Sequence, residues 1–525
     1  MRRWNGWGDE SVRLDLPRAA LAYLRERIGA GVSPRDATFE SVVAFVPPSR
    51  LRPASFIDAS PQTRVRHARG QSLPDWIALR SGQLGCVPDG VAFPHSAADV
   101  RDLVQFARET GACVIPYGGG TSVAGHVNPL QGDAPVLTVS MAHMRRLLHF
   151  DEQSRVARFE AGVAGPDLEA QLRSAGYTLG HFPQSFEYST LGGWIATRSS
   201  GQQSLRYGRI EQLFASANVE TPRGRLEIPS FPASAAGLDI RELVLGCEGR
   251  IGIITQAAVR VRPVAAHESF HAWFFRDWNR ARDAARALVQ NETGLSMVRL
   301  AGESETRTTL RMAASRGTAL LQAWLALRGQ RGSTCLLIAG VTGSTRAAEA
   351  ALKHAREIAA RHGALYAGRR PGSAWKANRF RGVYLRNTLW DLGYAVDTIE
   401  TAVDWTRVDA MIRGMEAAAR AALGNHVHAY AHLSHVYPQG SSVYGTFIFP
   451  IAADPQATME RGRRLKAAVS AAIVQHGGTI SHQHGVGTDH REYLRDEKGE
   501  LGLNAMRAVF ATFDPDGMMN PGKLV

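Results

Sequence analysis

The segment PYGGGTSVAGHV, residues 116–127, determines how the first half of this chain is interpreted. Three consecutive glycines follow the short apolar run 113–116 and precede two hydroxyl side chains. A run of glycines after a buried strand lets backbone N–H groups converge on an anion, because no side chain keeps the anion away. The spacing fits neither GxxxxGK[ST] nor a GxGxxG that opens a helix, which excludes P-loop and Rossmann sites. A phosphate cradle and a tight structural turn are both compatible with this loop alone.

Two further clusters of small residues follow in the same half of the chain. HFPQSFEYSTLGGWIATRSSG, residues 181–201, contains paired glycines and several hydroxyl side chains. LVLGCEGRIGIIT, residues 243–255, contains a third group of glycines. Three such loops in one domain predict a long ligand threaded through it, with a pyrophosphate held by backbone amides and hydroxyls.

The length and the periodicity of the chain predict two domains. A chain of 525 residues exceeds what one hydrophobic core usually serves. Up to about residue 263, short strands alternate with helices such as 96–112 and with glycine turns. Beyond it, the pattern predicts strands that include 334–341 and 443–452, together with long amphipathic helices at 277–293, 346–362, 405–423 and 454–476. This alternation predicts a second sheet covered on one face.

Charge and cysteine content exclude several classes of protein. The net charge is +13, but no stacking-aromatic or helix-turn-helix pattern accompanies it, so we expect no nucleic-acid partner. An anionic substrate, a membrane surface or a solvated basic face would each account for the charge. The four cysteines form no CxxC pair, which argues against a zinc site or a disulfide framework.

The two ends of the chain and its apolar runs bear on location. The polar start WNGWGDES after residue 3 lacks the apolar region of a secretion signal, and the final GKLV is not the peroxisomal address SKL. No apolar run in the sequence is long enough to span a bilayer. We therefore expect a cytoplasmic protein.

The chain resembles flavoproteins of the vanillyl-alcohol oxidase type and, among them, the alkyl-dihydroxyacetonephosphate synthase family. The loops above are generic to the larger group, whereas the opening WNGWG, GHFPQS at 180–185 and SHQHGVG at 481–487 are narrower signatures. The resemblance implies an α+β, two-domain PCMH-type FAD-binding fold with an α+β cap domain. It places an FAD-binding domain at 1–265, a cap or substrate domain at 266–480, and a C-terminal segment at 481–525 that returns to the FAD domain.

The resemblance implies FAD as cofactor, held noncovalently. His126 stands where glycine is common in the family, and we do not expect it to form a histidyl–flavin bond. The residues that the resemblance assigns to FAD are Pro116, Gly118, Gly119, Gly120, Thr121, Ser122, Pro183, Ser185, Thr190, Gly192, Gly193, Thr197, Ser200, Gly201, Tyr207, Glu248, Gly249, Gly252, Ile253 and Ile254.

The activity implied by the resemblance is alkyl transfer in ether lipid synthesis. The acyl group of acyl-dihydroxyacetone phosphate is exchanged for a long-chain fatty alcohol through an adduct at flavin N5, with no net oxidation. The implied partners are these two lipid substrates, a membrane contacted peripherally through a basic, apolar-edged patch, and a second copy of the chain in a homodimer.

Several residues match catalytic or substrate positions of the family. Tyr444 matches the tyrosine assigned to proton transfer, and it would need neighbouring cations or histidines to act as a base at neutral pH. Arg386 and Arg299 match arginines near the substrate phosphate, for which a guanidinium fork is suited. His181 matches a histidine beside the flavin. His432 and His435 are further substrate candidates, although the animal-type pattern has arginine in place of His432. A strand tyrosine and surface arginines are the structural alternatives.

The segment TISHQHGVGTDH, residues 479–490, supplies two more catalytic candidates, His482 and His484. On a strand, residues two apart point the same way and would share one site. Asp489 and His490 complete no familiar zinc spacing, so we expect no metal. The animal-type pattern has histidine where Gln483 stands, which puts the role of the central position in question.

Two other functions stay open at this point. One is an FAD-dependent dehydrogenase or oxidase of a 2-hydroxy acid or a related alcohol, which would use the same cofactor domain. Such enzymes commonly carry a GDGN-type run, and HVYPQGSSVY at 435–444 lacks it. The other is a flavin-binding protein without catalysis, for which Gln483 is the sole support. The sequence leaves open the lipid chain length, the oligomeric state and the direction of flux.

Overall fold

The structure of the protein, a computed structural model, describes residues 1–313, 316–330 and 334–525. In the first half, the helices are α1 (Arg18–Ile28), α2 (Phe39–Ala44), α3 (Pro61–Arg66), α4 (Leu73–Ser81), α5 (Ala97–Thr110), α6 (Gly165–Ser174), α7 (Leu191–Ala196), α8 (Ser204–Tyr207), α9 (Ile210–Leu213) and α10 (Arg241–Val244). The strands there are β1 (Ile57–Asp58), β2 (Gly90–Ala92), β3 (Cys113–Tyr117), β4 (Val136–Ser140), β5 (Leu147–Asp151), β6 (Val156–Glu160), β7 (Tyr177–Thr178), β8 (Phe214–Thr221), β9 (Gly224–Ile228), β10 (Ile253–Arg260) and β11 (Arg262–Pro263).

Two main sheets organise this half. One has the order β1-β2-β4-β3, with β4 parallel to both β2 and β3. The other is the antiparallel sheet β5-β6-β10-β8-β9. The predicted helix at 96–112 is α5, which begins with a capping box between Ser96 and Asp99 and ends at left-handed Gly111. The glycine loop 118–120 leaves the end of β3 as predicted.

The second half forms the cap. Its strands are β12 (His267–Phe275), β13 (Leu295–Ala301), β14 (Cys335–Gly343), β15 (Leu365–Gly368), β16 (Tyr394–Asp404), β17 (His428–Leu433) and β18 (Gly440–Pro450). Its helices, with the C-terminal one, are α11 (Trp278–Gln290), α12 (Glu303–Met312), α13 (Arg316–Leu327), α14 (Thr345–Arg361), α15 (Arg370–Asn378), α16 (Leu385–Asp391), α17 (Val408–Leu423), α18 (Pro455–Gln475) and α19 (Leu494–Phe513). The four predicted long helices are α11, α14, α17 and α18.

The cap strands form one antiparallel sheet in the order β15-β12-β14-β13-β17-β18-β16. In β18, Val443 and Phe447 are buried in the core that also contains Met415 of α17, whereas Tyr444 and Thr446 line a cavity on the other face. Leu325 of α13 packs on the opposite face of the neighbouring strands. The prediction that helices cover one face of this sheet alone is therefore wrong, because α17 packs on one face and α13 packs on the other.

The C-terminal residues return to the first half of the chain. Met519 forms a parallel bridge with Val114 of β3, and the N–H of Asn520 donates to the carbonyl of Val114 at 2.8 Å. The domain boundaries at 265 and 480 stay predictions. Among the described helices, none combines the length and the apolar character needed to cross a bilayer.

Replacing Phe447 by Ala should destabilise the cap without touching the cavity. The ring is 1% exposed and lies on the helix-covered face of β18. Truncating such a ring removes buried apolar area and leaves a void, which lowers the free energy of unfolding by about 3–5 kcal/mol. Urea denaturation followed by fluorescence measures it. The control Leu501→Ala changes a side chain that is 85% exposed, and its free energy of unfolding should stay within about 0.5 kcal/mol of the parent. Equal losses of stability in the two variants would contradict the buried position of Phe447.

Candidate functional site

A cavity of about 530 Å³ lies between the first half and the cap sheet. Three glycine-rich loops form one wall, and β13, β16, β17, β18 and α16 form the other. The predicted cofactor residues in its wall are Pro116, Gly118, Gly119, Gly120, Thr121, Ser122, Pro183, Ser185, Thr190, Gly192, Gly193, Thr197, Ser200, Glu248, Gly249, Gly252, Ile253 and Ile254.

The first loop needs its glycines because atoms of the second loop lie directly against its backbone. A Cβ on Gly119 would overlap the carbonyl oxygen of Tyr188, and a Cβ on Gly118 would overlap Oγ1 of Thr190. Gly120 has a φ of +62°, in the left-handed region that side chains disfavour. The two loops therefore interlock at a distance that no side chain would permit, and this contact shapes the cavity wall.

The interlocked loop leaves its own amides free. Within the described chain, no protein group accepts a hydrogen bond from the N–H groups of Gly119, Gly120, Thr121 or Ser122. Consecutive unpaired N–H groups on a cavity wall are suited to an anion such as a pyrophosphate. The predicted role of these residues in holding FAD fits this donor set.

Glu248 joins the third glycine loop to the C-terminal segment. Its backbone is left-handed, with φ +52°, and its carboxylate accepts hydrogen bonds from the N–H of Val486 at 2.5 Å and of Gly487 at 2.8 Å. His126 Nε2 lies 3.2 Å from the same carboxylate, and the Asn520 side chain donates to the Glu248 carbonyl at 2.7 Å. This buried junction brings the histidine segment 481–487 against the FAD loops.

Tyr444 lies on the cap wall of the cavity. It is the cross-strand partner of Glu400 on one side and of His432 on the other, and its ring stacks on His432 with centroids 5.0 Å apart. Burial raises the pKa of Tyr444 to about 12, although Thr398 and Arg386 act in the opposite direction. The lowered pKa that Tyr444 would need to act as a base is therefore absent, and the phenol holds its proton at neutral pH.

The two predicted phosphate arginines both line the cavity but differ in charge balance. The Arg299 guanidinium donates to the Glu305 carboxylate at 2.5 Å, and His432 Nδ1 lies 3.2 Å from the same carboxylate. Burial raises the pKa of Glu305, but Arg299 and His432 outweigh it and lower this pKa to about 2. Arg299 is thus neutralised by an ionised partner.

Arg386 has no such partner. Its guanidinium donates to the carbonyls of Gln71 at 2.9 Å and Val396 at 3.3 Å and lies over the Trp76 ring. No carboxylate of the described residues lies within 4.0 Å of it. Burial lowers the pKa of Arg386, but a guanidinium stays charged. An unpaired cation in a cavity wall is a site for an anion.

The histidine segment is a series of bends, so the strand geometry in which His482 and His484 would point the same way is not present there. His484 lines the cavity, and its Nε2 lies 3.7 Å from the buried Glu400 carboxylate. His482 points away from the cavity, and its Nδ1 lies 2.9 Å from the same carboxylate. The two side chains share Glu400 because of the local bend, not through strand alternation. Gln483 lines the cavity and accepts a hydrogen bond from the Ser200 N–H at 3.2 Å.

Glu400, His435 and His482 place three ligand-type atoms within 4.8 Å of one another. Both nitrogens of His482 are already engaged, because Nδ1 faces Glu400 and Nε2 lies 2.7 Å from a guanidinium nitrogen of Arg209. A cation beside a ligand atom opposes metal binding. The absence of a metal stays a prediction.

Comparisons with known proteins agree with this arrangement. Residues 88–228 match the FAD binding domain family, and residues 264–524 match the C-terminal domain of FAD linked oxidases. An alkyldihydroxyacetonephosphate synthase from Dictyostelium discoideum is 30% identical over 527 residues, which cover 98% of this chain and 82% of the relative. The chain belongs to the alkyldihydroxyacetonephosphate synthase family.

Other members of the family extend the match. An alkyldihydroxyacetonephosphate synthase from Trypanosoma brucei brucei is 28% identical over 570 residues, covering 100% of this chain and 92% of that protein. A solved alkyldihydroxyacetonephosphate synthase structure superimposes with a TM-score of 0.85 at 26% identity, covering 99% of this chain and 98% of the other. The predicted two-domain fold and the predicted FAD cofactor are confirmed.

Four of the site residues predicted from the family pattern lie behind the cavity wall. His181 is buried, with Nε2 3.1 Å from Ser199 Oγ, and burial lowers its pKa to about 3. A Cβ on Gly201 would meet the backbone of residues 181–182, and the Tyr207 ring packs under Gly180. His482 is the fourth. These residues support the wall, and the structure gives them no contact with the cavity.

Three residues of the site were not predicted from the sequence. Arg379 lines the cavity between the rings of Phe182 and Phe380. Glu305 and Glu400 are the carboxylates that set the charge of the cap wall. Alternation along β16, combined with the position of Tyr444 on the paired strand, would have indicated Glu400, but the pairing of these strands was not known from sequence.

Replacing Gly119 by Ala should abolish FAD binding. The added methyl overlaps the Tyr188 carbonyl, so the two loops would separate and their free amides would lose their common orientation. The flavin absorbance per mole of purified protein measures the loss, which should exceed tenfold. Gly132→Ala is the matched control, because no atom lies within 4 Å of that Cβ position. A Gly119→Ala protein with the flavin content of the parent would show that this loop contact is not needed for FAD binding.

Proposed function

We propose that this protein is an FAD-dependent alkyl transferase that replaces the acyl group of acyl-dihydroxyacetone phosphate with a long-chain alcohol. One ester C–O bond breaks, one ether C–O bond forms, and the carboxylate leaves, so no net oxidation occurs. The alkyldihydroxyacetonephosphate synthases that the chain resembles over its whole length support this choice. We also propose that FAD is bound noncovalently.

The observation that carries the proposal is the unpaired guanidinium of Arg386 in the same cavity as the free amides of the glycine loop. The amides suit the pyrophosphate of FAD, and Arg386 then remains for a second anion. The phosphate of the substrate supplies that anion. Arg299 contributes less charge, because Glu305 already pairs with it.

The rest of the cavity suits an amphiphile. Beyond the polar groups its lining is apolar and includes Met297, Met312, Leu385, Leu389, Val396 and Ile448. When bound, FAD supplies a ring that accepts an electron pair from the substrate carbon. Tyr444 keeps its proton at Oη and can donate it to a substrate oxygen, while Arg386 fixes the phosphate.

The direct test is incubation of purified protein with acyl-dihydroxyacetone phosphate and an isotope-labelled long-chain alcohol. Mass spectrometry should find the label in the ether product and an equal amount of free fatty acid. Tyr444→Phe should keep its flavin and lose this transfer. A 2-hydroxy acid mixed anaerobically should leave the flavin yellow. Bleaching without ether formation would instead favour a dehydrogenase or oxidase.

Replacing Arg386 by Met should weaken substrate binding more than it affects FAD. The guanidinium that balances the phosphate is lost, so we expect KM for acyl-dihydroxyacetone phosphate to rise at least about tenfold, as for one lost charge-assisted hydrogen bond. Steady-state kinetics on flavin-loaded protein measures the change. Arg381→Met, at an exposed arginine nearby, should leave KM within about twofold, and similar effects in both variants would count against the assignment.

We further propose that the protein contacts membranes through α13. Leu320 and Leu327 are 72% and 85% exposed and lie two turns apart on one side of this helix. Leu321, Trp324 and Leu325 hold the helix on the cap sheet. Such an apolar stripe, with the net charge of +13, suits an anionic lipid surface. A cytoplasmic location and a homodimer stay proposals.

The double variant Leu320→Glu/Leu327→Glu should lower binding to anionic vesicles. Two carboxylates replace the apolar contacts and are repelled by the lipid headgroups. Co-sedimentation with phosphatidylserine-containing vesicles measures binding, which should fall several-fold. Leu501→Glu alters an equally exposed leucine in α19 and should bind as the parent does. Unchanged sedimentation of the double variant would exclude α13 as the contact.

A further inference from the structure

We propose that Glu400 is a positioning residue. One carboxylate oxygen fixes His482, and the other stabilises a protonated His484, so that His484 is the histidine that exchanges a proton with the cavity. The inference rests on the proposed alkyl transfer, for which it assigns the proton acceptor. It separates two histidines that the sequence pattern treats as equivalent.

The hydrogen-bond partners of His482 fix its tautomer. Its Nε2 lies 2.7 Å from a guanidinium nitrogen of Arg209 and 2.6 Å from the Tyr437 hydroxyl. A guanidinium has donors and no acceptor, so Nε2 must be the unprotonated nitrogen. The proton is therefore on Nδ1, which donates to Oε1 of Glu400 at 2.9 Å. A second proton on His482 would face the Arg209 cation, and its ring does not reach the cavity.

The second oxygen of Glu400 is buried without a hydrogen-bond partner in the described structure. It lies 3.7 Å from Nε2 of His484, a distance for an ion pair that a small rotation converts to a hydrogen bond. Burial raises the pKa of Glu400, but the surrounding histidines outweigh it and hold this pKa well below its usual range. An ionised oxygen in such a position favours a cation at its nearest neighbour.

Few other charged groups face His484. Lys466 is paired with Asp489 at 2.8 Å, and His126 is paired with Glu248 at 3.2 Å. The ring of Tyr444 meets His484 edge-on, with centroids 5.9 Å apart. Burial lowers the pKa of His484, as does Lys466, whereas Glu400 raises it. Glu400 is thus the group that makes an imidazolium tolerable there.

The remaining candidates around Glu400 are less suited to hold the proton. His435 also lines the cavity, but burial holds its pKa well below the usual range. Gln483 carries no titratable group, and its carbonyl oxygen is bound to the Ser200 N–H. When a substrate C–H or O–H gives up its proton, the imidazole of His484 takes it, the charge is balanced by Glu400, and the proton later returns to product or water.

Nitrogen-15 NMR of the FAD-loaded protein, labelled at its 18 histidines, tests the proposal without an activity assay. The His482 and His484 signals are assigned by their loss in His482→Asn and His484→Asn. In the parent, the neutral ring of His482 should be the Nδ1–H tautomer, whereas His484 should titrate. In Glu400→Gln, the His484 midpoint should fall by about one pH unit, a tenfold loss of proton affinity.

Glu305→Gln is the matched control, because it neutralises another buried carboxylate of the cap wall that does not face His484. Its His484 midpoint should equal that of the parent. Glu400→Asp keeps the charge, so its His484 midpoint should lie close to that of the parent. This variant also tests the proposal if Glu400→Gln does not fold. An Nε2–H tautomer at His482, or a His484 midpoint unchanged in both Glu400 variants, would overturn the proposal. Absence of alkyl transfer with the expected midpoints would refute the proposed function and leave the proton assignment standing.

Discussion

The approach of Gly119 to the carbonyl of Tyr188 is the contact on which the cavity depends. Because the first loop has no side chain at this point, it can lie directly on the backbone of the second, and within the described chain the amides of residues 119–122 remain unpaired. Unpaired amides are unfavourable in a protein interior unless a ligand or water satisfies them. The glycines therefore serve the ligand indirectly, by allowing a protein contact that orients the donors.

The cap shapes the site through charge, whereas the glycine loops shape it through close backbone contact. The cap places two ionised carboxylates, Glu305 of α12 and Glu400 of β16, beside cationic or titratable side chains. Glu305 neutralises Arg299, whereas Arg386 keeps its full charge because the groups that it contacts are backbone carbonyls and a tryptophan ring. The position proposed for the substrate phosphate follows from which guanidinium is unpaired, not from how many arginines line the cavity.

Much of the fold could be predicted because its signals are local. The capping box and left-handed glycine that bound α5 act within a few residues, and the amphipathic periods of α11, α14, α17 and α18 are readable along the chain. The glycine loops were recognised for the same reason. The bends of the histidine segment could not be predicted, because they are stabilised by Arg209, Glu400 and Glu248, which are distant in sequence.

The sequence by itself determined the family, the cofactor class and many of the residues that line the cavity, since glycine loops and narrow motifs carry that information in short windows. The tertiary structure alone decided which candidates face the cavity. It buried His181 and His482 behind the wall, paired Arg299 with Glu305, and left Arg386 and His484 facing the cavity. These outcomes depend on strand pairing and on electrostatic contacts between segments that are remote in sequence. The energy of such a contact depends on the distance between the charges, and no sequence pattern specifies that distance.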